Sequence, residues 1–148
     1  MMSDVTVAVY RAPMRSRRSD VDFGATIERA RALGLCGFGS GGSSAGRLAR
    51  RIERFRDVEN GSFVWTRDPD GLYWLGRIHG PYFHDDDAAA VAVDLVHVRE
   101  CLWLPEPLLE PNVPAAVVAT FGRGGRNFQQ THDGTVSAES QALWDEFS

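Results

Sequence analysis

Lysine is absent from the 148 residues: every one of the 16 cationic side chains is an arginine. This excludes a Walker-type phosphate loop, whose lysine ammonium contacts the β- and γ-phosphates. Cysteine is scarce. Cys36 and Cys101 are the only two, too few for the disulfide framework of a small secreted domain. No positively charged and then apolar leader opens the sequence, so the expected compartment is the cytoplasm. Long apolar runs are missing as well, and none approaches the roughly 20 residues that a membrane helix needs. The expectation that remains is one domain spanning 1–148, long enough to bury a core without disulfides or a structural metal.

What is abundant is positive charge at one end. Residues 1–56 hold 11 arginines against 5 acids (+6), and residues 57–148 hold 5 arginines against 15 acids (−10), within an overall charge of −4. Such a split fits a basic face that meets a polyanion while the rest stays acidic. The competing expectation is that both halves fold together and the charges intermix.

Residues 4–10 alternate Val5, Val7 and Val9 with polar or small neighbours, the period-two pattern of a half-buried strand. Arg11 to Asp20 follows neither period and reads as a basic loop with Arg15, Arg17 and Arg18. Asp22 stands as an N-cap to a helix over 22–33 that ends at Gly34. Leu35 to Phe38 is a short strand or part of a glycine turn, and Ser43 or Ser44 caps a helix over 45–57. On that helix Arg47, Arg50, Arg51 and Arg54 form a stripe beside the apolar set Ala45, Leu48, Ile52 and Phe55. Residues 62–66 and 72–79 form a hairpin about the turn Asp68-Pro69-Asp70-Gly71. An acidic stretch, His84 to Asp87, precedes a strand over 94–104; 114–121 is a helix or a strand, and 137–147 suits a closing helix.

The segment LGLCGFGSGGSSAGRLARRIERF, residues 33–55, carries two functional patterns. Gly37, Gly39 and Gly42 spell the dinucleotide fingerprint, but a helix rather than a long strand precedes them and no second βαβ half follows. Gly42, Ser44 and Gly46 spell a nucleophile elbow, which Asp94 with His97 or His132 could complete. That elbow belongs to a large parallel sheet, and the downstream chain reads as antiparallel hairpins. No metal is expected: His97 and Cys101 are four apart on a strand, about 13 Å, and the run His84 to Asp87 reads as a solvated loop. His79 is read as a barrel-face residue.

A constellation of rings and guanidiniums remains on the strands, including Trp65, Tyr73, Trp74, Arg77, Tyr82, Arg99 and Trp103, followed by Arg123-Gly124-Gly125-Arg126-Asn127. Tyr73 and Trp74 are adjacent on a strand and point oppositely, so these rings cannot all face one core. Either some line a groove, where rings stack on bases and arginines meet phosphate, or they pack a small barrel.

The stretch GSFVWTRDPDGLYWLGRIHGPYFHDD with VHVRECLWL resembles the small β-barrel modules of the PUA-like and EVE-like class, in the form attached to Mrr-type, modification-dependent restriction systems. Gly61, Tyr73, Leu75-Gly76, Ile78, Gly80, Tyr82, His97, Arg99 and Trp103-Leu104 carry the resemblance in order. VAVYRA is similar to the opening strand of those modules and LGLCGFGSG to the second. Ser62 stands where an acid is usual and Cys101 where valine is.

The resemblance implies an α+β domain built on a small, mostly antiparallel PUA-like β-barrel over about 4–104 with flanking helices and a C-terminal extension over about 105–148. It implies a non-catalytic reader of nucleic acid, DNA before RNA, that accepts a flipped or modified base and needs no cofactor. A separate nuclease or effector is the expected partner. The expected base pocket comprises Cys36, Gly37, Phe38, Gly39, Trp65, Trp74, Tyr82 and Arg99. Arg47, Arg50, Arg51, Arg54, Arg123, Arg126 and Asn127 are expected on the phosphates. The alternatives are a small serine hydrolase using Ser44 and a protein-interaction module.

Overall fold

A computed structural model of the chain describes residues 6–42, 44–123, 128–132 and 134–148. The fold is α+β. Seven strands are described: β1 (Val9–Arg11), β2 (Leu35–Phe38), β3 (Phe63–Arg67), β4 (Tyr73–Ile78), β5 (Phe83–His84), β6 (His97–Trp103) and β7 (Gln129–Gln130). Five α-helices accompany them: α1 (Phe23–Leu33), α2 (Ala45–Arg56), α3 (Ala88–Ala92), α4 (Ala115–Gly122) and α5 (Val136–Phe147).

The strands run in the order β2-β6-β4-β3-β1-β7, with β5 also on β6. Every pairing is antiparallel except β1 with β3, which is parallel. β6 is the shared element: His97 to Glu100 pair with β2, and Cys101 to Trp103 pair with β4. A strand that changes partners along its length curls the sheet into a half-barrel, in keeping with the barrel expected from the sequence.

The period-two rule divides the strand side chains between two cores. Val64 and Ile78 join Ile27, Ala30, Phe38, Phe55, Leu95 and Val98 on the concave side, beneath α1 and α2. Phe63, Trp65, Tyr73 and Leu75 join Val113, Val117 and Val136 on the other side, beneath α4 and α5. The segment after residue 104 is therefore integral to the fold: it covers a whole sheet face and returns as β7 to pair with β1.

Local chemistry explains the ends of the elements. Asp22 accepts from the Gly24 amide, and Gly34 closes α1 at φ 66°. Within the described part of the strand predicted over 4–10, the ladder begins at Val9, and it extends to Arg11, before Pro13, which has no amide to donate. The strand predicted from residue 94 begins at His97 instead, because Asp94 takes a left-handed conformation, φ 50°.

Candidate functional site

A cleft of about 940 Å³ opens where three parts of the chain meet. α2 supplies Arg47, Arg50, Arg51 and Arg54. The end of β1 supplies Arg11 and the segment that follows it Arg15 and Arg17, and the end of β3 supplies Arg67. Eight arginines thus line one concavity, against the carboxylates of Asp22 and Asp68. Both acids are engaged locally: Asp22 caps α1, and Asp68 accepts from the Asp70 and Leu72 amides and from Trp74 Nε1.

One buried aspartate assembles these walls. Asp94 accepts from Ser16 Oγ at 2.6 Å and from the Ser40 amide at 3.1 Å, tying the basic loop to the glycine loop that enters α2. The contact explains the glycines that imitate a cofactor fingerprint. A Cβ on Gly39 would lie 2.1 Å from Asp94 Cγ, and one on Gly37 would lie 1.9 Å from the His97 carbonyl oxygen. Both positions require glycine for close packing within the fold. Ser44 then caps α2, accepting from the Arg47 amide.

α2 is a display helix. Phe55 is its one fully buried side chain, and Leu48 and Ile52 pack partway into the core, which leaves the arginine flank facing the cleft. Burial lowers the Arg51 pKa, and the neighbouring guanidiniums of Arg17 and Arg54 lower it further. The same causes act on Arg11, with Arg123 as its neighbour. Arginine stays protonated through such shifts, which burial causes first and neighbouring positive charge second. Aromatic rings sit in the walls under this charge: Arg11 lies over Phe121 at 5.0 Å and Arg15 over Phe23 at 5.2 Å.

The phosphate-contact residues predicted on α2 therefore come together, whereas the predicted base pocket does not form as one site. Trp65 and Trp74 lie on opposite sheet faces, since Trp65 pairs with Leu75 and Trp74 with Thr66 across the β3–β4 ladder. Trp65 is fully buried, and its Nε1 donates to Ser140 Oγ of α5. Cys36, Gly37 and Phe38 are buried in β2, and Gly39 is pressed against Asp94. Arg99 is buried as a clamp: it donates to the carbonyls of Gly80, Phe55 and Val58 and to Asn60 Oδ1. Those bonds satisfy carbonyls left open where α2 ends and leave Arg99 unsuited to reading a base. Tyr82 is half-buried, with its hydroxyl 2.9 Å from His97 Nδ1. Arg123 is exposed at the end of α4; Arg126 and Asn127 lie outside the described residues.

The hydrolase geometry is not present around Ser44, whose hydroxyl is occupied as a cap. The serine that meets His97 is Ser40, 2.7 Å from Nε2. Burial pushes the His97 pKa down to about 4, helped by His84 and Arg51 and opposed by Asp94. A ring so weakly basic, held between Ser40 and Tyr82, is a structural bridge. Among the described residues no group of three His, Cys, Asp or Glu side chains is placed to hold a metal.

The sequence reading missed Arg11, Arg67, Phe23 and Phe121 as cleft residues. Arg15 and Arg17 already stood out as a basic cluster, and their link to α2 could not be read without Asp94. Arg67 carried no signal, being a lone arginine at a strand end, and Arg11 stood only at the border of the basic loop.

No known protein-family pattern matches the chain, and no characterised protein matches it in sequence. Solved structures do resemble it. The YTH domain of the Zygosaccharomyces rouxii MRB1 protein, in complex with N6-methyladenosine RNA, is 11% identical, with a TM-score of 0.49 over 95% of this chain and 86% of that one. The Pho92 YTH domain, in complex with m6A, is 9% identical, with a TM-score of 0.52 over 99% of this chain and 87% of that one. At this identity the Pho92 likeness is one of fold.

Proposed function

We propose that this chain is a non-catalytic, cytoplasmic reader of single-stranded nucleic acid that holds phosphates in the arginine cleft. The observation that carries the reading is the convergence of eight guanidiniums on one 940 Å³ concavity. Guanidinium forks match phosphate oxygens bidentately. Because they approach from a helix, a loop and two strand ends, they surround a flexible backbone more readily than they lie along a rigid duplex. Phe23 and Phe121 in the walls carry the guanidiniums of Arg15 and Arg11 over their rings, which holds that charge at the cleft.

Recognition of a modified base is the finer part of the proposal. It is supported by the resemblance to modification-dependent restriction modules and by the shared fold with the Pho92 domain bound to m6A, both arguments by analogy. The first favours DNA and a separate nuclease or effector partner; the second favours RNA.

The test is a salt titration with labelled 12-nucleotide single strands, deoxy and ribo, each with and without one N6-methyladenine. Five phosphate contacts give a slope of log K against log salt of about −3.5. A slope near zero, or no binding at low salt, overturns the proposal. Tighter binding of the methylated strand supports the finer reading, and equal binding of both strands removes it.

A further inference from the structure

Trp74 is 5% exposed, and one side chain stands over its ring. The Arg31 guanidinium of α1 stands 3.4 Å above the indole centroid. The indole is fixed in turn, since its Nε1 donates to Asp68 Oδ2 at 3.0 Å and the other oxygen of Asp68 accepts two amides of the hairpin turn. Among the described residues Arg31 makes no ion pair and no side-chain hydrogen bond. It lines a second cavity, of about 560 Å³, together with Trp103, Pro105, Glu28 and Asp70.

This cavity and the arginine cleft share Gly24, Asp68 and Pro69 in their linings, so the two adjoin. The two ends differ in chemistry. The cleft has eight arginines, whereas the second cavity has one, set among Glu28, Asp68 and Asp70. Phosphates are drawn to the first and disfavoured in the second.

Resting on the reading of the cleft as a phosphate site, we infer that the second cavity is a base subsite. One base of the bound strand reaches past Gly24 and Pro69 and stacks on the Arg31 guanidinium that covers Trp74, as bases stack on guanidinium planes elsewhere. Glu28 and Asp70 accept from its exocyclic amine, as carboxylates accept from cytosine N4. Thymine or uracil presents a carbonyl oxygen at that position and meets a carboxylate instead of giving it a proton. The subsite therefore selects an amino-bearing base.

The experiment compares short oligocytidine, in deoxy and ribo forms, with oligothymidine and with an abasic strand carrying the same phosphates. The wild-type chain is expected to bind oligocytidine about tenfold more tightly than either comparator. R31K, which keeps the charge and loses the plane, is expected to abolish the advantage over the abasic strand. E28Q with D70N is expected to abolish the advantage over oligothymidine. Both variants keep the wild-type salt slope, and thermal unfolding of each confirms that the fold is intact. If R31K retains the tenfold preference, or if the wild type has none while its salt slope persists, the subsite is overturned and the cleft reading stands. If no strand binds with a salt-dependent affinity, both readings fall.

Discussion

The arginine cleft and the aromatic end of the sheet share α2, and they use the same side-chain types oppositely. In the aromatic end Phe38, Phe55 and Phe128 pack at centroid distances of 5.2 and 4.5 Å, Tyr82 meets Phe55 at 6.3 Å, and Arg99 directs its donors at backbone carbonyls. In the cleft Arg47, Arg50 and Arg54 are exposed. One region satisfies its groups internally, and the other presents them to a solute. The difference teaches that an arginine or an aromatic motif indicates binding only where the fold leaves its polar groups or ring faces unmatched.

The largest test of this contrast is Arg99→Met. It removes the Arg99 donors from the Phe55, Val58 and Gly80 carbonyls in a buried site, and a loss of about 3 kcal/mol is expected in urea unfolding. Binding by the molecules that remain folded should keep its salt slope, and a lost slope at unchanged stability would place Arg99 in the binding site after all.

Acid probes the same region through His97. Its folded-state pKa, pushed down to about 4, lies below the ordinary value near 6.5. Between those values the unfolded chain binds more protons, so stability is present above pH 6.5 and is lost as the pH falls through 4. A decrease of about 2–3 kcal/mol from pH 7 to pH 4 is expected from this group, and replacing His97 with Gln should flatten that part of the unfolding profile.

Ser44→Ala, at the cleft side of α2, removes a cap and is expected to cost about 1 kcal/mol. Circular dichroism through a thermal ramp measures it. Smallest in stability is the pair Arg50→Gln and Arg54→Gln, with unfolding changed by no more than about 0.5 kcal/mol. Its effect belongs to binding: the salt slope for a single strand should shallow by about 1.4, or 0.7 per lost phosphate contact. A double variant that unfolds like Arg99→Met would erase the distinction between the two regions.

Much of the frame was legible in the chain. Asp22 and Gly34 bracket α1, Ser44 opens α2, and Asp68 to Gly71 turn the hairpin, each by chemistry confined to a few neighbouring residues. The stripe Arg47, Arg50, Arg51 and Arg54 was legible for the same reason, since helical spacing places it on one flank. The expected pocket was not recovered, because Trp65 and Trp74 look alike in sequence and differ by which sheet face each meets. Residue parity within a strand separates two faces; only the packing of α1 and α5 decides which ring is sealed and which is stacked under a guanidinium.

Sequence alone determined α1, α2, α5 and the β3–β4 hairpin, the excess of arginine before residue 57 and the amphipathic character of α2, because propensity, capping and periodicity act over a few residues. Tertiary structure decided the rest. Asp94, 78 residues from Ser16 and 54 from Ser40, holds the loop and the helix entry together. Contacts at such separation depend on chain closure and shared burial, which no local pattern encodes. Through them scattered arginines become a single cleft.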